Sequence, residues 1–125
     1  MQARDKFFST LLMIRDSVSE QPTAQIGVID VGERLDARSA ERMKSKFKEL
    51  ARQGRSRHII DMSRVDDLDS GGLATLISTL RAVREAGGSV HLVANSDRVT
   101  HILELTALTR LFKVYPSLQA ALSSV

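Results

Sequence analysis

From Gln25 onward the apolar positions switch repeatedly between dense short runs and a helical period. Ile26, Val28, Ile29 and Val31 form the first run, which predicts a strand over Gln25 to Val31, with Gly32 loosening the chain after it. Beyond Leu35-Asp36, residues Ala40, Met43, Phe47 and Leu50 fall at helical spacing, with Asp36 or Ser39 as the cap and Gly54 as the stop. Arg57 to Met62 predicts a second strand. Its centre, Ile59-Ile60, lacks polar alternation, as in a strand covered on both faces. Leu73, Leu76, Ile77, Leu80 and Val83 then recur at i, i+3, i+4, i+7 and i+10, predicting a helix from Gly71 to Ala86 that Gly87-Gly88 ends.

Ser89 to Ala94 predicts a third strand, and Asn95-Ser96-Asp97 the turn and cap of a third helix carrying Val99, Ile102 and Leu103, with Leu105 a candidate for the same face. Thr106 to Thr109 reads as a loop and Leu111 to Tyr115 as a short final strand. Pro116-Ser117 opens a last helix with Leu118, Ala121 and Leu122 inward. Strands that alternate with helices favour parallel pairing through right-handed crossovers, so the expected class is α/β, with helices packed on one central sheet. The expected organisation is a single domain over residues 25–125 and a separate N-terminal segment over residues 1–24. In that segment Phe7, Phe8, Leu11, Leu12 and Ile14 fit a short helix face, Leu11 to Val18 fit an edge strand, and Gln21-Pro22-Thr23 breaks either pattern.

Composition narrows this picture in three ways. A chain of 125 residues that is 42% hydrophobic has enough apolar mass for one buried core. The absence of cysteine removes disulfides and thiolate metal sites. No run approaches the roughly 20 apolar residues of a membrane span, and Phe7 to Ile14 lacks the order of a secretory signal, so the expected setting is cytoplasmic with no membrane insertion. The net charge is +3, and Arg42, Lys44, Lys46, Lys48, Arg52, Arg55 and Arg57 crowd one stretch. With aromatics at only 4%, that stretch reads as the solvated face of an amphipathic helix, and no nucleic-acid partner is expected.

The candidate chemistry lies in Val65-Asp66-Asp67-Leu68-Asp69-Ser70-Gly71-Gly72, between a buried strand and a helix. Ser70 there has three roles to choose from: helix cap, nucleophile or switch. A nucleophile elbow requires glycine two residues before the serine, where this chain has Leu68, and a histidine base. His58, His91 and His101 fall in or beside strand and helix bodies, which does not suit that role. Asp66, Asp67 and Asp69 read as turn residues in preference to a divalent-metal site, and the Lys-Ser/Thr pair of a phosphate-binding loop is missing. No enzyme activity, metal or cofactor is therefore expected.

The run Ile60-Asp61-Met62-Ser63-Arg64-Val65-Asp66-Asp67-Leu68-Asp69-Ser70-Gly71-Gly72-Leu73 resembles the signature of STAS domains, the family of bacterial anti-sigma factor antagonists. That signature is a hydrophobic strand ending in Asp, a short turn, and then Asp-Ser-Ser/Thr/Ala-Gly-Leu. Leu35-Asp36-Ala37, Gly87-Gly88, Val93-Ala94-Asn95, Leu105-Thr106-Ala107-Leu108 and Leu111-Phe112 continue the resemblance in order over about residues 25 to 122.

The resemblance implies a single layer of mixed, mainly parallel sheet with helices packed against it. It implies a binding module phosphorylated at Ser70 by an anti-sigma factor that is also a serine kinase and holds the ATP, with a phosphatase reversing the step. The partner-binding residues it implies are Asp36, Asp69, Ser70, Gly71, Gly72 and Leu73. The alternative is a STAS regulatory subunit of a membrane lipid-transport or other signalling complex without sigma-factor control. This chain departs from the pattern twice: Gly71 stands where a second hydroxyl residue is usual, and Gly32 lies three residues before Leu35, with Glu33 in the usual glycine place.

Overall fold

A computed structural model describes residues 26–125. Residues 1–24, for which the sequence leaves a short helix or an edge strand open, lie outside the described residues, as does Gln25. The elements alternate as β1 (Ile26–Asp30), α1 (Ala40–Arg52), β2 (Arg57–Asp61), α2 (Ser70–Glu85), β3 (Ser89–Val93), α3 (Asp97–Leu105), β4 (Val114–Tyr115) and α4 (Leu118–Ser124). Single 3-10 turns at Ala37–Ser39 and Leu108–Arg110 precede α1 and β4. The described strands form one sheet in the order β1-β2-β3-β4, and every pairing is parallel. Ile29, Ile60, Leu92 and Val114 stand side by side in register, so the strands end together along one carboxyl edge.

The unbroken apolar run in β2 follows from burial on both faces. Successive strand side chains point to opposite sides. Ile60 therefore joins Ile29, Leu92, Met43, Leu76, Leu80 and Leu103 beneath the helices of one face, while Ile59 meets Ile26, Val93 and Ala121 of α4 on the other. Two members of the basic stretch also hold β1 in place. Arg42 and Arg55 each donate from the guanidinium, at 2.7 Å, to the carbonyls of Val31 and Ile26, at opposite ends of that strand.

The last third of the chain departs from its pattern in detail. Leu105 is 72% exposed, because it lies about 200° around the helix from Leu103, off the Val99/Leu103 stripe. The predicted loop at Thr106 to Thr109 contains the start of the second 3-10 turn, entered through Ala107 at a positive φ of 63°. That turn buries Leu108 and Phe112, leaves Leu111 63% exposed, and confines the final strand to Val114–Tyr115. In α4, Ala121 is fully buried and Leu122 lies at the surface.

Candidate functional site

The loop that follows β2 is pinned from inside by two apolar side chains, Val65 and Leu68, both buried. Its polar residues turn outward: Asp66, Asp67, Asp69 and Ser70 are exposed. Ser96 at the start of α3 donates its hydroxyl to the Asp66 carbonyl at 2.9 Å, tying this loop to the next strand–helix turn. Arg98 lies 3.8 Å from the Asp67 carboxylate.

Asp69, and not Ser70, caps α2. Its backbone is extended (φ −88°, ψ −178°), and its Oδ1 accepts from the Gly72 N–H at 2.7 Å. The Asp69 carboxylate satisfies one orphan donor and places negative charge at the positive end of the helix. Ser70 becomes the first helical residue, with its hydroxyl at the surface.

The opposite wall of the site comes from Leu35-Asp36-Ala37. Asp36 caps the 3-10 turn by accepting from the Arg38 N–H at 3.0 Å, while the Asp36 N–H donates to Ser39 Oγ at 3.2 Å, a reciprocal capping box. The Arg38 guanidinium also donates to Asp36 Oδ2 at 3.2 Å. That hydrogen bond is the main cause holding the Asp36 carboxyl below its ordinary range. Thr75 Oγ1 donates to the Asp36 carbonyl at 3.1 Å, which joins this wall to the second turn of α2.

The glycine pair lets the two walls meet. A Cβ on Gly72 would lie 2.0 Å from the Leu35 carbonyl oxygen and 3.0 Å from its carbon, a collision with backbone that cannot step aside. A Cβ on Gly71 would lie 3.3 Å from both the Cβ and the N of Ala37, a tight fit that a small shift would relieve. The close approach of Ala37 thus accompanies the missing second hydroxyl at Gly71. Gly32, displaced by one residue from the usual pattern, adopts φ +83° directly after β1 and donates its N–H to Asp30 at 2.9 Å.

The structure therefore brings Asp36, Asp69, Ser70, Gly71 and Gly72 to one end of α2, and Leu73 is half-buried there against the main core. The cleft between the walls, about 280 Å³, is lined by Glu33, Asp36, Asp66, Asp67 and Asp69, with Arg34 as its cation. Glu33, Arg34 and the Thr75 tether were not anticipated from sequence. Thr75 sits beside Leu76 within the buried face of α2, and sequence carries no signal for its tether, since the equally buried Thr79 bonds back to the Thr75 carbonyl of its own helix. Among the described residues no three His, Cys, Asp or Glu side chains converge as a metal site.

The histidines lie elsewhere. His58 is buried in β2 against Phe47, ring centroids 5.2 Å apart, and burial pushes its pKa down. His91 in β3 faces Tyr115 at 6.0 Å and is pushed down chiefly by burial, with Arg57 and Lys113 adding to the effect. His101 is exposed on α3.

A capped serine turn at the carboxyl edge of a parallel sheet, walled by a second strand–helix loop, lies at the surface of an α/β domain. The family model described as STAS domain matches residues 17–121, and the chain belongs to this family. The anti-sigma-B factor antagonist of Bacillus subtilis is 30% identical over 80 residues, covering 64% of this chain and 72% of that protein. The crystal structure of an anti-sigma factor antagonist from Mycobacterium paratuberculosis matches with a TM-score of 0.68 at 26% identity, over 81% of this chain and 86% of that one. A sulfate transporter family protein from Wolinella succinogenes shares the fold, with a TM-score of 0.70 at 17% identity over 84% of this chain and 92% of that one.

Proposed function

We propose that this protein is an anti-sigma factor antagonist, a non-catalytic binding module that captures a serine-kinase anti-sigma factor while Ser70 is unmodified and releases it once Ser70 is phosphorylated. The observation that carries this reading is the division of labour at the start of α2. Asp69 takes the cap, so the exposed Ser70 hydroxyl has no structural duty to lose when it is modified. The kinship with anti-sigma factor antagonists supports the choice of partner.

Phosphorylation would add about −1.5 to −2 charge at Ser70, beside a cleft that holds five carboxylates and one arginine. A partner surface complementary to a neutral hydroxyl would then face repulsion and uncompensated desolvation. A loss of about 3 kcal/mol weakens binding more than a hundredfold, at roughly 1.4 kcal/mol per decade. The anti-sigma factor supplies the ATP, and a phosphatase resets the serine.

Incubation with the cognate kinase and ATP, followed by peptide mapping in a mass spectrometer, should place one phosphate on Ser70 and none on Ser70→Ala. Phosphate retained by Ser70→Ala would remove the assignment. The second reading, a STAS subunit of a membrane-transport complex, draws on the exposed cations Lys44, Lys46 and Lys48 along α1. Co-purification with a transport ATPase in place of a kinase would favour it.

A further inference from the structure

An apolar groove of about 400 Å³ lies at the far end of α2 from Ser70. Ile77 and Leu80 form one side, and Leu108 of the second 3-10 turn and Phe112 just beyond it form the other. Leu111 stands at its mouth, 63% exposed. Arg81, Arg84 and Glu85 make the rim on the α2 side, and the Arg84 guanidinium carbon sits 5.8 Å from the centre of the Phe112 ring. No carboxylate of the described residues forms an ion pair with Arg81 or Arg84. The groove thus combines an apolar floor with a rim of net positive charge, a surface complementary to an apolar segment flanked by carboxylates.

The groove is also connected to the serine turn. Leu73 and Ile77, one helical turn apart on the same side of α2, are both half-buried and carry an apolar stripe from the Ser70 end to the groove. At 1.5 Å of rise per residue, Ser70 is about 10 Å along the axis from Ile77 and about 21 Å from Arg84. An ordinary protein interface buries about 800 Å² per partner, a patch roughly 30 Å across. A partner seated on Ser70 therefore reaches the groove without an unusually large footprint.

We propose that this groove is a second docking site for the same anti-sigma factor, filled by an apolar segment of that partner flanked by Asp or Glu; this rests on the function proposed above. The site is indifferent to the state of Ser70. It contributes a contact that survives phosphorylation, so release is a fall to weaker binding and not a complete loss of contact. Because the groove and Ser70 are well separated and share no side chain, their effects on affinity should add.

Calorimetry with the purified cognate anti-sigma factor tests this on the full chain, using Leu111→Asp and Arg81→Glu, two exposed positions whose replacement should leave the thermal midpoint unchanged. Each variant is expected to weaken binding at least tenfold. Leu111→Asp combined with Ser70→Asp should multiply the two single losses, and Arg81→Glu should flatten the salt dependence of binding. If the wild type binds and Ser70→Asp weakens it while both groove variants stay within twofold, the groove proposal falls and the proposed function stands. If the wild type does not bind the anti-sigma factor, the functional reading fails and takes the groove's occupant with it. Two other occupants have their own signatures. A wild-type dimer that Leu111→Asp converts to monomer would assign the groove to a second copy. A disulfide forming between Leu11→Cys and Leu111→Cys in this otherwise cysteine-free chain would assign it to the N-terminal segment. Either result overturns the proposal.

Discussion

Gly72 is the residue on which the geometry of the site depends most directly. Gly72→Ala would drive a methyl group into the Leu35 carbonyl oxygen, 2.0 Å from the Cβ position, and the strain should cost about 3 kcal/mol, the upper end for overpacking. Urea denaturation should show the loss as a lower midpoint with little change in slope. Gly71→Ala, whose Cβ would meet both the Cβ and the backbone N of Ala37 at 3.3 Å, should cost about 1 kcal/mol, the lower end for overpacking, because a backbone shift of a few tenths of an ångström relieves the contact. Asp69→Ala should cost about 1 kcal/mol through the lost cap, and Asp69→Asn, which keeps an acceptor for the Gly72 N–H, should recover most of it. At Ser70 the expected pattern is different. On the proposed function, Ser70→Ala should leave both stability and partner affinity near wild type, whereas Ser70→Asp should weaken the partner complex in a titration, since the exposed hydroxyl caps nothing.

Among the elements, the junction between the first 3-10 turn and α2 has the clearest consequence. Thr75 Oγ1 donates to the Asp36 carbonyl, and Thr75→Val would keep the shape and remove that bond, while the carbonyl still accepts the Ser39 N–H at 3.0 Å. The expected loss is about 0.5–1.5 kcal/mol by thermal or urea melting, with faster amide exchange at Arg38 and Ser39. This junction also marks where sequence reading stopped. The helical period from Leu73 to Val83 and the Asp-Ser-Gly-Gly turn were readable because each is local: spacing, cap chemistry and glycine all act within a few residues. The meeting of Leu35 with Gly72 pairs residues 37 apart, and periodicity carries no trace of such an approach. For the same reason the Arg42 and Arg55 tethers to β1 looked like members of a solvated basic face. In the last third, a single 3-10 turn begins within the expected loop and ends just before the expected strand, burying Leu108 and leaving Leu111 exposed. Short turns carry too few residues for a period to establish which side faces in.

For the whole molecule, the buried His58 and the half-buried His91 contribute to the response to acid. Burial holds His58 and His91 below the value of about 6.5 that an unfolded histidine has. Between the depressed folded values and about 6.5, the unfolded chain binds more protons than the folded one, so stability rises with pH through that window and falls on acidification below about 6.5. Urea midpoints should therefore drop between pH 7.5 and pH 5.5, and His58→Leu should flatten the profile. Asp36, held low mainly by Arg38, acts on a lower range. Its contribution is present above the unfolded carboxyl value of about 3.9 and is lost as pH falls through the folded one.

The strand order β1-β2-β3-β4 has a consequence for how the protein is made. Among the described residues each strand after β1 lies beside the one synthesised before it, so none of these strands has to be threaded between two earlier ones. During translation, at about 5–20 residues per second, the sheet can lengthen sideways in the direction in which the ribosome delivers it. Leu35 and Asp36 precede α2 in the chain, so the wall that Gly72 requires has already emerged when α2 does, and the serine turn can close before β3 and β4 have been made.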